Sequence, residues 1–415
     1  MQNGIQAQKI GNIFSLIFFF NKQRYEISRA QIHGYDINSV KNLKIQESGD
    51  KKLIDMIICG ADEKIIRLFE PTAIVANMLN RISNTSLRLF FPSIEVEEQY
   101  LIKNQKNTLE YKTFTEGGAQ VLGLMTKAMK PAKEKYTNYY DEEDEGGNLE
   151  ENEKGGDSGN FHDFSKPPNE DYLTKHTLWP EINKLYGHGY EIQTVAASHE
   201  GNIIASSCKS QSYEHSSIFL WNPTNYSIID KLYVHNYTVM QIEFSKNDNF
   251  MGSVSKDRQF VLFKKTTDPK KPYEKFFVNK SHARIIWCLA FSTDSNFCLT
   301  GSRDKKLKVW KIEDKSVEMA LEKTFNEGVT ACAFAERKKE TNYVLCVGLE
   351  NGTIHILLLN FDNKTLEIVG RLHNNLGHSM GVNRLKFKNE AVEKGYELAS
   401  CGDDHSVRII NINLD

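Results

Sequence analysis

His188, His235 and His282 lie 47 residues apart, and each opens a short phrase of alternating apolar residues: KLYGHGYEIQTVAAS, LYVHNYTVMQIEFS and NKSHARIIWCLAFS. Glu327-Gly328, 45 residues after His282, opens GVTACAF, and His378, 51 residues after Glu327, opens SMGVNRLKF. Each opening leads to a second phrase, SVSKDRQFVLF, TGSRDKKLKVW, VGLENGTIHIL or SCGDDHSVRII. In these, Asp257, Asp304, Asn351 and Asp404 stand six residues before Phe263, Trp310, Leu357 and Ile410. Short runs with a period of two, bounded by Asn, Asp, Ser and Gly, read as strands and turns. A strand unit repeated at this spacing means an array in which neighbours bury the faces that no unit can bury alone.

The Gly-His opening and the tryptophan that closes the Asp304 to Trp310 phrase resemble the WD-repeat family, whose unit is one four-stranded blade of a β-propeller. An earlier copy surrounds His33, and its second phrase runs from Cys59 through Asp62 to Phe69. From His33 to His188 is 155 residues, two periods of 47 plus 61 extra. The sequence therefore predicts an all-β chain, a single seven-bladed WD-repeat β-propeller over 23–415 with blades starting near 33, 85, 188, 235, 282, 328 and 378. The last unit ends at Asp415, five residues after Ile410. Residues 23–32 are accordingly expected to supply its outer strand and close the ring. Residues 1–22 are an unplaced leader, with disorder as one reading, and 129–175 are predicted to be a disordered acidic insertion. Ile74, Val75, Met78, Leu79 and Ile82 recur at helical spacing and predict one short amphipathic helix, an edge cap or a partner-docking element.

His282, Ser302, Asp304 and Trp310 could pass for a Ser-His-Asp catalytic set. A triad occurs once, whereas this pattern recurs from unit to unit. The WD-repeat resemblance implies an internal hydrogen-bond chain instead, so His188, His235, Asp257, His282, Ser302, Asp304, Trp310, His378 and Asp404 are assigned to structural blade positions. The pattern is degenerate: Phe69, Phe263, Leu357 and Ile410 take the Trp position, and His215 stands where an Asp is expected before Trp221. A separate stretch interleaves Lys264, Lys265, Lys270, Lys271 and Lys275 with Tyr273, Phe276 and Phe277. Cations among aromatics suit RNA or a protein partner; the plainer reading is a solvated loop whose aromatics return to the core.

Between Asp141 and Asp157 nine carboxylates and one lysine give a local charge of −8 against −2 for the whole chain, which leaves +6 on the rest. The longest apolar run, Ile13 to Phe20, has eight residues, short of the roughly 20 that a membrane-spanning helix needs. Seven cysteines never come closer than ten positions and form no zinc-like spacing, which predicts buried free thiols in a reducing compartment. There is no Walker glycine loop, His-Glu-x-x-His, Cys-x-x-Cys or Gly-x-Ser-x-Gly. No catalytic residue, metal, cofactor, small-molecule substrate or membrane contact is predicted.

Several phrases are more specific than the repeat: PEINKLYGHGYEI after Leu178-Trp179, QIHGYDI with GADEKIIRLFE, GGAQVLGLMTKA at 117–128, and Gly-Leu-Glu-Asn-Gly at 348–352. From about Tyr25 to the end the chain resembles the subunit 2 family of the Elongator complex. The resemblance implies a non-catalytic scaffold that binds the largest Elongator subunit and the catalytic subunit, which combines radical-SAM and acetyltransferase modules. The assembly places a carboxymethyl-type modification on the wobble uridine of certain tRNAs, with tRNA an indirect partner of this chain, in the cytoplasm and the nucleus. Family members carry two propellers, so this chain is expected to match the second. The alternatives are an RNA-binding propeller acting through the basic loop and a generic WD-repeat adaptor of another assembly.

Overall fold

The computed structural model describes residues 5–10, 13–20, 23–30, 34–46, 53–70, 75, 168–170, 173, 177–280, 282–336, 339, 342–373, 375–388 and 395–414. The chain opens with β1 (Ile5–Ile10), β2 (Ile13–Phe20) and β3 (Gln23–Ala30). Blade one follows: β4 (Ile37–Gln46), β5 (Leu53–Ala61) and β6 (Ile66–Phe69), then, beyond the two-residue strand β7 (Leu178–Trp179), its fourth strand β8 (Glu181–Leu185). Blade two is β9 (Ile192–Ala197), β10 (Ile204–Cys208), β11 (Ile218–Trp221) and β12 (Ile228–Leu232). Blade three is β13 (Val239–Phe244), β14 (Phe250–Ser255), β15 (Phe260–Lys265) and β16 (Tyr273–Asn279). Blade four is β17 (Ile286–Phe291), β18 (Phe297–Ser302), β19 (Lys306–Ile312) and β20 (Val317–Thr324). Blade five is β21 (Val329–Phe334), β22 (Tyr343–Leu349), β23 (Ile354–Asn360) and β24 (Thr365–Leu372). Blade six has three strands, β25 (Val382–Phe387), β26 (Tyr396–Gly402) and β27 (Val407–Ile412).

Within blades every strand pairs antiparallel with the next, and the first strands pack in series, β4 on β9, β9 on β13, β13 on β17, β17 on β21 and β21 on β25. The second strand of a blade is covered on both faces by its neighbours. That is why β14, β18 and β22 are buried at every position, whereas the outer strands β12, β16 and β20 are largely open. The apolar clusters accordingly lie between blades: one joins Leu299 and Val309 of blade four to Leu345 and Leu357 of blade five. Blades approach so closely that a Cβ on Gly301 would stand 2.4 Å from Val329 of the next blade.

Six blades, not the expected seven, stand among the described residues. The reason is the pairing of β6 with β8, Ile66 against Leu185 and Phe69 against Glu181. It makes β8 the fourth strand of blade one, and the next described strand, β9, opens blade two. That unit, the insertion at 129–175 and the helix around Ile74 to Ile82 lie outside the described residues, apart from positions such as the buried Val75.

The leader and the closing strand also depart from expectation. Residues 5–20 form β1 and β2, and β3 pairs with β2 and, in parallel, with β7 through Arg29 and Ala30. Strand β27 has β26 as its one strand neighbour among the described residues. Two-residue links join β1, β2 and β3, so their pairing closes short loops, whereas reaching β27 would close one spanning almost the whole chain. Buried Trp179 fixes the junction by donating from Nε1 to Ser28 Oγ at 3.0 Å.

Candidate functional site

The recurring His and Asp side chains sit on the loops entering each first strand and on the turns after each second strand, at one end of the blades. In blade four Trp310 Nε1 donates to Thr300 Oγ1 at 2.9 Å, Thr300 meets His282 Nε2 at 2.9 Å, and His282 Nδ1 meets Asp304 Oδ2 at 2.9 Å. The donors fix the direction: the indole N–H points at the hydroxyl, the hydroxyl at Nε2, and Nδ1–H at the carboxylate. Asp304 also accepts from the backbone N–H of Ala283 and Lys306, at 2.9 and 3.1 Å. One carboxylate therefore locks the entering loop, the histidine and its own turn.

Blade three repeats the chain without the indole, His235 lying 2.7 Å from Ser253 Oγ and 3.0 Å from Asp257 Oδ2. In blade six His378 lies 2.9 Å from both Ser400 Oγ and Asp404 Oδ1. Blade two keeps the indole and loses the carboxylate: Trp221 Nε1 donates to Ser206 Oγ at 2.7 Å, and Ser206 meets His188 Nε2 at 2.8 Å. There the line ends, with His188 Nδ1 buried and unpartnered. His215, at the place of the missing Asp, turns edge-on to Tyr190 with centroids 5.0 Å apart.

Ser302, expected to be the linking hydroxyl, is not in the chain. It donates to the carbonyl of Arg284 at 3.3 Å and accepts from Asp304 N at 3.2 Å, while Thr300 takes the link. On a strand, neighbours two apart share a face, but only the position nearer the middle of β18 reaches both rings. A signal was present: Ser206, Ser253 and Thr300 each fall 18 residues after their histidine.

Burial pulls His188 down from its ordinary value to about 3, and Lys231 adds to it. Burial also lowers His282, against the pull of Asp304. For Asp257, Asp304 and Asp404 burial works upward but is outweighed by hydrogen bonds from the paired histidines and from backbone N–H groups, so all three carboxyls stay below the usual range. These groups are consumed in holding the blades together, each partner facing another side chain of the same blade.

The basic loop resolves into ordinary structure. Lys264 Nζ donates to the Asp314 carbonyl at 2.8 Å and lies 5.5 Å from the Phe276 ring, and Lys265 pairs with Glu200 at 2.7 Å. Buried Tyr273 donates to the Asp248 carbonyl, and Phe276 and Phe277 pack on the core. Lys270, Lys271 and Lys275 are exposed. Among the described residues no group of three or more His, Cys, Asp or Glu could hold a metal ion, and no helix is long and apolar enough to cross a membrane. All seven cysteines are free and six are buried.

The family of the WD domain, G-beta repeat, matches residues 274–311, the segment that carries the complete Trp310 to Asp304 line. The chain is a WD-repeat β-propeller. This propeller is similar to Elongator complex protein 2 of Drosophila melanogaster, 33% identical over 414 residues, which covers 95% of this chain and 47% of that protein. Elongator complex protein 2 of Homo sapiens is 31% identical over 94% of the propeller chain and 48% of its own length, and that of Arabidopsis thaliana 31% over 94% and 46%. The chain thus spans about half the length of the curated relatives it matches.

Proposed function

We propose that this chain is a non-catalytic scaffold subunit of an Elongator assembly, which holds the largest subunit and the catalytic subunit and so supports carboxymethyl-type modification of the tRNA wobble uridine. The observation that carries this reading is the similarity to Elongator complex protein 2 in animals and a plant, continuous over 94–95% of the chain. The blade geometry suits it. His, Asp, Ser and Trp are spent on internal links, and stacked blades present loops on a rigid frame. Its work would lie in the cytoplasm, with a share in the nucleus.

The test is purification of the tagged chain from its own cells, with mass spectrometry of what accompanies it. Recovery of both the largest subunit and the radical-SAM and acetyltransferase subunit is expected; a preparation containing neither overturns the reading in favour of an adaptor of another assembly. The scaffold reading needs no contribution from the basic loop, where Lys264 and Lys265 have partners within the chain. Reversing the charge of Lys270, Lys271 and Lys275 is accordingly expected to leave wobble-uridine modification unchanged.

A further inference from the structure

At the matching position of the six first strands stand Lys41, Ala196, Glu243, Ala290, Ala333 and Lys386. Lys41 belongs to blade one and Glu243 to blade three, yet Lys41 Nζ lies 2.9 and 3.2 Å from the two Glu243 carboxylate oxygens. A pair that skips blade two meets across the axis, so both side chains project into the central channel. Lys386 of blade six shares that space. Burial alone would raise the Glu243 carboxyl, but Lys41 and then Lys386 outweigh it and hold it at about 2.

The charges there do not balance. Strand β25 places Arg384 two residues before Lys386, on the same face. The Arg384 guanidinium donates to the adjacent Asn383 carbonyl at 3.2 Å and to no carboxylate among the described residues. The Glu243 carboxylate is engaged by Lys41 on both oxygens and by Gln241 at 3.4 Å. Lys386 has no hydrogen-bond or ion-pair partner among the described residues. Although its side chain is accessible, protein surrounds it: burial works against its ammonium form, Glu243 and then Glu336 favour it, and the Lys41 and Lys246 charges oppose it. Cations brought together in a place walled by protein repel one another until an anion joins them.

We propose that the central channel binds a small oxyanion, held by Lys386 and Arg384 of blade six together with Lys41 of blade one. Phosphate and a short dicarboxylate offer the same chemistry, paired acceptor oxygens for two or three cationic donors. Glu243 competes for Lys41 and sets the affinity.

The experiment is calorimetric titration of the full chain with inorganic phosphate and, separately, with malonate, chloride holding the ionic strength constant. Saturable binding of one anion per chain is expected, and the arm that binds more tightly tells the phosphoryl from the carboxylate source. Lys386→Met is expected to weaken binding about tenfold or more, the worth of one charge-assisted hydrogen bond. Glu243→Gln frees Lys41 and is expected to tighten it. No saturable heat in either arm, or Lys386→Met binding like the parent, overturns the proposal. Should Lys386→Met fail to fold, Glu243→Gln decides: unchanged or weaker binding in that variant is equally fatal.

Discussion

In blade four the polar line runs unbroken from Trp310 through Thr300 and His282 to Asp304; in blade two it runs from Trp221 through Ser206 to His188 and stops. Blade two fills the gap with rings. His188 stacks on Phe219 with centroids 4.2 Å apart, and Lys231 lies 4.3 Å from the same ring. An orphaned buried nitrogen costs about 1–3 kcal/mol, and an aromatic contact returns about 0.5–1.5 kcal/mol. The two blades teach that the histidine and its link to the strand hydroxyl can be kept when the carboxylate is lost, the carboxylate serving where a short turn must be tied to the entering loop. In blade two residues 209–217 connect β10 to β11, and Ser216 Oγ donates to the His235 carbonyl, so the loop itself ties one blade to the next.

The largest effect is expected where the line is complete. Asp304→Ala removes the acceptor of His282 Nδ1 and of two backbone N–H groups at once. Breaking such a buried set should cost roughly 3–5 kcal/mol, read as a fall in the urea midpoint. A loss under about 1 kcal/mol, the surface ion-pair range, would show that the line orders the blade without stabilising it.

Acid should next expose blade two. A histidine whose folded pKa is lowered favours the neutral form, so its stabilising contribution is whole above the unfolded value near 6.5 and drains away as pH falls toward the folded value. For His188, at about 3, this amounts to roughly 3 kcal/mol by pH 4. His282 drains in the same direction, while the three lowered aspartates hold until the pH falls below the ordinary carboxylate range. Melting curves between pH 6.5 and 4 should therefore fall in the parent and fall less in His188→Phe. At neutral pH the same variant sheds the orphaned nitrogen but leaves the buried Ser206 hydroxyl, which accepts from Trp221, without the Nε2 it donated to, so it should lose about 1–3 kcal/mol. Equal acid slopes in parent and variant would remove His188 from the account.

The 47-residue spacing made the blades from His188 onward legible, since each repeat is local and its strand alternation is written in consecutive residues. Blade one was not legible in full. Its fourth strand, Glu181–Leu185, pairs with Ile66–Phe69 across a long interval, and no period in the sequence records a strand displaced by an insertion. The closing strand failed for a related reason: QRYEISRA has ordinary strand character, and only the pairing of β3 with β2 and β7 decides which edge it joins. In the blade chains the rings were readable from their spacing, whereas Thr300 and Ser302 share a face and chemistry and differ only in reach.

The smallest effect lies in the turn that blade two lacks. In blades three, four and six an Asp caps the turn, Asp257, Asp304 and Asp404 each accepting from the N–H two residues on. The residue between is left-handed: Arg258 at φ 70°, Lys305 at 69°, His405 at 57°. Blade five keeps the turn with Asn351 and puts Gly352 there, at φ 85°. Its amide still caps the turn, which separates the turn-forming role of this position from the histidine-binding one. Arg258 bears the backbone strain that glycine escapes, and no side-chain hydrogen bond or ion pair of Arg258 is found among the described residues. Arg258→Gly should therefore stabilise the chain by about 0.5–1 kcal/mol, less the entropy glycine adds to the unfolded state. A small rise in the urea midpoint is the expected reading. A fall would mean that the arginine side chain holds the turn, and that blade three is tied by more than its aspartate.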